Sequence, residues 1–139
     1  MECWYANSET VRTVYVAMIM FVEKAVRDRR GSAMKKITRE YLKNMMDTDV
    51  DFVLIDARGH EAYAKEHLPR AISIPSDHLG EHLLREHKKN RAFVTYCSSF
   101  ECEASTVAAK KLDKFGFKTV LEFKGGLEDW KKAGYPTEK

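Results

Sequence analysis

From residue 34 onward, short apolar runs alternate with stretches whose apolar residues recur every three or four positions. The runs at Phe52 to Ile55, Ile72 to Ile74, Phe93 to Tyr96 and Val120 to Phe123 are short, mostly unbroken and rich in β-branched or aromatic residues, as buried strands are. Helical patterns fall between them, at 38–46, 60–66, 76–87, 104–115 and 126–133. Thr38 is a suitable N-cap for the first, with Tyr41, Leu42, Met45 and Met46 as its apolar stripe. This alternation predicts an α/β domain with a mostly parallel central sheet of four to five strands and helices on both faces, joined by right-handed crossovers. In such sheets the loops beyond the strand carboxyl ends form the binding crevice.

The most informative segment is Phe93-Val-Thr-Tyr-Cys97, which ends a predicted strand in a cysteine, followed by Ser98-Ser99-Phe100-Glu101-Cys102-Glu103 and a helix from residue 104. Ala104, Val107, Ala108, Leu112 and Phe115 recur at helical spacing and predict the packed face, with Lys110, Lys111 and Lys114 toward water. Gly116 is the expected stop. A loop that feeds a helix amino terminus presents N–H groups without intrahelical partners, and the peptide dipoles add partial positive charge there. A thiolate is stabilised in such a place, so Cys97 is the candidate nucleophile and the backbone of residues 98–103 its anion cradle. The plainer alternative is a small buried residue at a strand end.

The first 33 residues read as an added segment, a predicted N-terminal helical extension that ends near Gly31-Ser32-Ala33. Residues 14–22 form an unbroken apolar run of nine, flanked by Arg12 and by Glu23-Lys24. A membrane-spanning helix needs about 20 apolar residues, so this run is too short to cross a bilayer. Glu2 and Glu9 precede it and no small-residue cleavage site follows before Arg27, which argues against a secretory signal. The expectation is a helix that packs on the domain or on a second copy, making residues 11–26 a docking segment for a homodimer or another partner. A peripheral membrane helix beside the basic 27–36 stretch is the less favoured alternative.

Composition narrows the function classes. The 139 residues suit one domain, 1–33 being the extension and 34–139 the core, and 44% hydrophobic with 32% charged residues is ordinary for a soluble globular protein. A net charge of +3, with basic and acidic residues intermixed, argues against a nucleic-acid surface. The three cysteines, Cys3, Cys97 and Cys102, are too few for a secreted disulfide framework, which points to a reducing cytoplasm. No metal is expected, because Cys97 and Cys102 have no matching pair among His60, His67, His78, His82 and His87; His78 and His82 lie four apart on a predicted helix, a spacing common at surfaces.

Three separated pieces together resemble the rhodanese superfamily: Val53-Leu-Ile-Asp56-Ala-Arg58 with Glu61; Glu66-His67-Leu-Pro69-Arg-Ala71-Ile-Ser-Ile-Pro75; and Lys124-Gly-Gly-Leu-Glu-Asp-Trp130-Lys-Lys-Ala-Gly134-Tyr-Pro136. The resemblance covers about Ile37 to the carboxyl terminus. It implies a rhodanese-like fold and a sulfurtransferase that needs no cofactor. Cys97 would take a sulfane sulfur from a small-molecule donor, thiosulfate or a persulfide, and pass it from a Cys97 persulfide to a thiol or cyanide. Ser98, Ser99, Ser105 and Thr106 would offer hydroxyl donors, although loop hydroxyls more often bond local backbone. Asp56 and Arg58 belong to the family motif; a structural role is favoured, Asp56 capping a turn and Arg58 bonding a carboxylate or loop carbonyls. Trp130, Tyr135, Gly125 and Gly126 read as packing and turn residues of the neighbouring wall.

Two departures from the family pattern bear on chemistry. The loop carries Glu101 and Glu103 and no Arg or Lys before Thr106, which disfavours a dianionic donor such as thiosulfate. Cys102 lies five positions after Cys97 and is a candidate resolving thiol, able to attack a Cys97 persulfide or trap a sulfenic acid; the alternative is a loop thiol whose geometry forbids the bond. Phosphatases of related fold use Cys-x5-Arg, but Glu103 stands at the arginine position, so that chemistry lacks its charge stabiliser. The remaining alternative is a non-enzymatic redox-sensing or sulfur-carrier module that uses Cys97 and Cys102.

Overall fold

The computed structural model describes residues 34–139 together with Val16, Met18 and Ile19, which are helical. The rest of the extension over residues 1–33, and with it the docking expected of residues 11–26, lies outside the described residues. Contacts divide the chain into two units, Met1–Ser32 and Ala33–Lys139. Among the described residues, no helix is long and apolar enough to cross a membrane.

The second unit is an α/β domain. In chain order it contains β1 (Met34–Lys36), α1 (Arg39–Asp47), β2 (Phe52–Asp56), α2 (His60–Lys65), β3 (Ile72–Ser73), a short 3-10 turn (Glu81–Leu84), β4 (Ala92–Tyr96), α3 (Ala104–Lys114), β5 (Thr119–Phe123) and α4 (Gly126–Lys132). All pairings in the sheet are parallel and its order is β1-β5-β4-β2-β3. Every residue of β2 and β5 is buried, as are Phe93 to Tyr96 of β4, so these strands are covered on both faces. That double burial explains why they read as continuous apolar runs rather than alternating ones.

Register matters most for function. Asp56 pairs with Tyr96 and Tyr96 with Phe123, so β2, β4 and β5 end level with one another. The next residues, Ala57, Cys97 and Lys124, therefore leave the sheet along one edge. Cys97 follows the middle one of those three strands, between its two long neighbours, where loops converge.

Three local expectations change. Met34–Lys36, which shows no strand signal of its own, becomes β1 by pairing with Val120 to Glu122. The predicted 76–87 helix is instead a turn followed by the 3-10 turn, so His78 and His82 do not share a helix face. Only Leu79 and Leu84 of that stretch are buried apolar residues, too few to hold a packed helical stripe. The buried stripe of α3 is Ser105, Ala108, Ala109 and Leu112, while Val107 faces outward. The predicted stripe is thus rotated by about one position, because Ser105 enters the core through a polar bond described below.

Thr38 occupies the N-cap of α1 and accepts from the Tyr41 amide at 3.1 Å. Gly116, just past α3, adopts φ +90°, a conformation costly for a residue with a Cβ. Trp130 is fully buried against Phe123 and Tyr135, and its ring nitrogen donates to the Pro136 carbonyl at 2.8 Å. This clasp fastens α4 and the chain end to the sheet. Trp130→Ala is expected to cost about 3–5 kcal/mol, read as a drop in the urea midpoint without a change in slope.

Candidate active site

Beneath the level strand ends lies a buried ion pair. Asp56 has no exposure and is bonded by the Arg58 guanidinium, whose Nε lies 3.0 Å from Oδ1 and 3.2 Å from Oδ2 and whose Nη2 lies 2.7 Å from Oδ2. The Arg58 amide also donates to Oδ1 at 3.0 Å, which makes Asp56 the cap of its own turn. The same Nη2 donates to the Glu66 carbonyl at 2.6 Å. Tyr96 completes the set: its hydroxyl donates to Asp56 Oδ2 at 2.6 Å and accepts from the Leu68 amide at 3.1 Å. Burial, and then the adjoining Asp56 carboxylate, push the Tyr96 phenol well above its ordinary range, so it stays protonated as a donor. Burial works against the Arg58 charge, but its bonds to Asp56 prevail and hold the guanidinium above its usual value. Asp56 and Arg58 thus take structural positions one strand away from the cysteine, anchoring the residue that immediately precedes it.

Cys97 is 2% exposed and forms a disulfide with Cys102, with the α-carbons 6.1 Å apart, inside the range that such a bond requires. The loop geometry therefore permits the bond. The intervening Ser98, Phe100 and Glu101 are exposed, and Ser99 Oγ donates to the Glu101 carboxylate at 3.0 Å. Phe100 is 60% exposed. Cys97 Sγ meets Ser98 Oγ at 3.8 Å.

The carbonyls of this loop are tied down. Leu127 N–H donates to the Cys97 carbonyl at 3.0 Å and Glu128 N–H to the Ser98 carbonyl at 2.9 Å. Gly126 makes this approach feasible: it has φ +68°, and a Cβ there would lie 2.5 Å from the Cys97 carbonyl oxygen. The amides are engaged less. Cys102 N–H closes a turn to the Ser99 carbonyl at 3.2 Å, which removes it from the expected cradle. Among the described residues, the amides of Ser98, Ser99, Phe100, Glu101 and Glu103 have no hydrogen-bond acceptor.

Two residues of β5 and its end were missed by the local reading of the loop. Glu122 is 1% exposed and accepts from Ser105 Oγ at 2.8 Å and Thr106 Oγ1 at 2.6 Å. Ser105 and Thr106 therefore face a buried carboxylate instead of a ligand, which corrects their expected role as loop donors. Lys124 supplies the cation that the loop itself lacks. Its ammonium donates to the Cys102 carbonyl at 2.7 Å and to Thr106 Oγ1 at 3.1 Å, and lies 3.7 Å from the Glu103 carboxylate. The sequence signalled only that it directly follows a strand; that this strand ends level with β4 is a matter of register. Beside the loop opens a cleft of 450 Å³ lined by Ser98, Leu127, Glu128, Lys131 and Lys132. Among the described residues, no cluster of three or more His, Cys, Asp or Glu side chains is arranged to hold a metal ion.

Comparison with known proteins names the class. A model of the rhodanese-like domain matches residues 38–133, and the chain belongs to that family. It is 32% identical over 100 residues to the putative sulfur carrier protein YrkF of Bacillus subtilis, covering 72% of this chain and 52% of that protein. It is 31% identical over 118 residues to the HTH-type transcriptional regulator Rv0324 of Mycobacterium tuberculosis, covering 85% and 51%. The chain thus spans about half the length of these curated relatives. Among solved structures, the BH2092 protein of Bacillus halodurans superposes with a TM-score of 0.71 at 30% identity, over 83% of this chain and 84% of that one. A thiosulfate sulfurtransferase of Pseudomonas aeruginosa shares the fold, with a TM-score of 0.68 at 20% identity over 86% of this chain and 22% of that one.

Two substitutions test this architecture. Tyr96→Phe leaves the Leu68 amide without its acceptor and Asp56 short of a donor; a loss of about 1–3 kcal/mol is expected in chemical denaturation. Gly126→Ala forces an unfavourable φ and a backbone clash with the Cys97 carbonyl, and should also cost about 1–3 kcal/mol. It should further speed amide exchange at Leu127 and Glu128, whose bonds hold the loop, which exchange mass spectrometry reads directly.

Proposed function

We propose that the domain moves sulfane sulfur, with Cys97 as the acceptor and carrier. Once its disulfide is reduced, the Cys97 thiolate attacks the outer sulfur of a donor. A bond forms from Cys97 Sγ to that sulfur, the donor's sulfur–sulfur bond breaks, and the donor leaves as a thiolate, or as sulfite when it is thiosulfate. The resulting Cys97 persulfide passes its terminal sulfur to a thiol or to cyanide in a second displacement. The observation that carries this reading is the place of Cys97, at the carboxyl end of a buried strand inside a loop whose Cys97, Ser98, Ser99 and Cys102 carbonyls are bound and whose amides are mostly unclaimed. Such amides favour a thiolate or persulfide anion over a neutral group. The relative described as a putative sulfur carrier supports the same chemistry.

Donor choice follows from charge. Glu101 and Glu103 are exposed beside the cysteine pair, and Lys124 offsets only the second. A low-molecular-weight persulfide, which brings a single charge to the reacting sulfur, suits this loop better than thiosulfate, whose two charges are concentrated beside it. The cleft lined by Ser98, Leu127 and Lys131 gives donor and acceptor a route to the loop. The attack requires a thiol, so the domain works in a reducing compartment such as the cytoplasm. Residues 11–26 are the segment assigned to docking of a second copy or a partner.

The disulfide also favours a second reading, a redox sensor. Peroxide would convert Cys97 to a sulfenic acid, and Cys102 would displace water from it to form the disulfide. The two readings separate by intact-mass analysis of protein first reduced and then given glutathione persulfide or thiosulfate. One added sulfur on Cys102→Ser protein, discharged by cyanide as thiocyanate and absent from Cys97→Ser, is the expected result, with the persulfide preferred as donor. A disulfide formed by peroxide, with no sulfur ever acquired from either donor, would favour the sensor.

A further inference from the structure

We infer that Cys102 resolves the Cys97 persulfide, so that the domain releases hydrosulfide at the expense of a dithiol reductant. This rests on the reading of Cys97 as the sulfur acceptor and adds a second outcome for the same intermediate. The two sulfurs are bonded with the backbone as it stands, so Cys102 Sγ reaches the inner sulfur of a Cys97 persulfide by side-chain rotation alone. In that step a bond forms between Cys102 Sγ and Cys97 Sγ, and the bond from Cys97 Sγ to the outer sulfur breaks. The outer sulfur departs with the electron pair and takes up the Cys102 proton as hydrosulfide. The sulfane sulfur gains two electrons, and the two cysteines lose them in becoming the disulfide.

The reaction geometry is held by backbone bonds outside the cysteine pair. Cys97 is fastened through its carbonyl to α4, while Cys102 is fastened twice, through its amide to Ser99 and through its carbonyl to Lys124. Lys124 thereby acts as a positioning residue, for it links the resolving cysteine to the end of β5 and lies near the Glu103 carboxylate. An attack prearranged within one chain competes well with a thiol that must first diffuse in. Exposure then sets the direction of reset. Cys97 is buried and Cys102 is partly exposed, so an external dithiol attacks Cys102 Sγ and expels Cys97 as the leaving thiolate. The freed group is the one that accepts the next sulfur, which makes the cycle repeat.

The test uses the full chain, reduced with a dithiol, desalted without oxygen and given glutathione persulfide, with sulfide and intact mass followed together. Wild type is expected to release one hydrosulfide per chain and to end two hydrogens lighter than the reduced protein. Cys102→Ser and Cys102→Ala should instead hold one extra sulfur and release no hydrosulfide until a thiol is added, while cyanide removes that sulfur as thiocyanate. Lys124→Met should slow sulfide release about tenfold more than it slows sulfur loading, as expected when a bond to a charged donor is lost. Wild-type protein that keeps its persulfide, with no sulfide and no disulfide, would overturn the inference while leaving sulfur transfer intact. Failure of wild type and both Cys102 variants to take up sulfur would overturn the parent reading, and this inference with it.

Discussion

A carboxylate with no exposure to water stands at the end of β2, and the edge of the domain that carries Cys97 is built around satisfying it. An unpaired buried carboxylate costs several kcal/mol, so Asp56 draws the Arg58 guanidinium, the Arg58 amide and the Tyr96 hydroxyl onto its two oxygens. Each of these donors belongs to a different piece of the edge or reaches one. Arg58 extends to the Glu66 carbonyl and Tyr96 to the Leu68 amide, which ties the segment after α2 to the ends of β2 and β4. Tyr96 is the residue before Cys97. The position of Cys97 is thus set by a buried charge one strand away.

A second buried carboxylate does the corresponding work on the other side of β4. Glu122 holds the first turn of α3 through Ser105 and Thr106, and Thr95 Oγ1 fastens the Ser105 carbonyl at 3.0 Å. Lys124 then joins Thr106 to the Cys102 carbonyl. Between the two networks, α4 contributes backbone donors to the Cys97 and Ser98 carbonyls, an approach that only a glycine at position 126 allows. The result is a loop whose oxygens are bound on three sides. Its open amides and its two sulfurs are what remain for chemistry, even though the loop's own charged side chains are acidic.

The fold was largely legible because the elements that build it bury themselves locally. Continuous apolar runs marked β2, β4 and β5, helical spacing marked α1, α3 and α4, and the end of the Phe93 to Tyr96 run placed Cys97 at a strand terminus. The exceptions lie where local pattern and burial part company. Met34–Lys36 is a strand only because β5 offers an edge, and residues 76–87 bury too little to stay helical. On α3, a serine replaces a hydrophobic residue in the buried stripe because its partner is a carboxylate from another strand.

What the chain's order of residues determined by itself was therefore the α/β class, the family and the thiol at the strand end, since each depends on neighbours along the backbone. The tertiary structure alone decided that Cys102 lies within bonding reach of Cys97, that Lys124 serves a loop without a cation of its own, and that Ser105 and Thr106 turn inward. Those facts depend on strand register and on which ends finish level, and register is settled by the packing of distant segments against one another. No local periodicity encodes it.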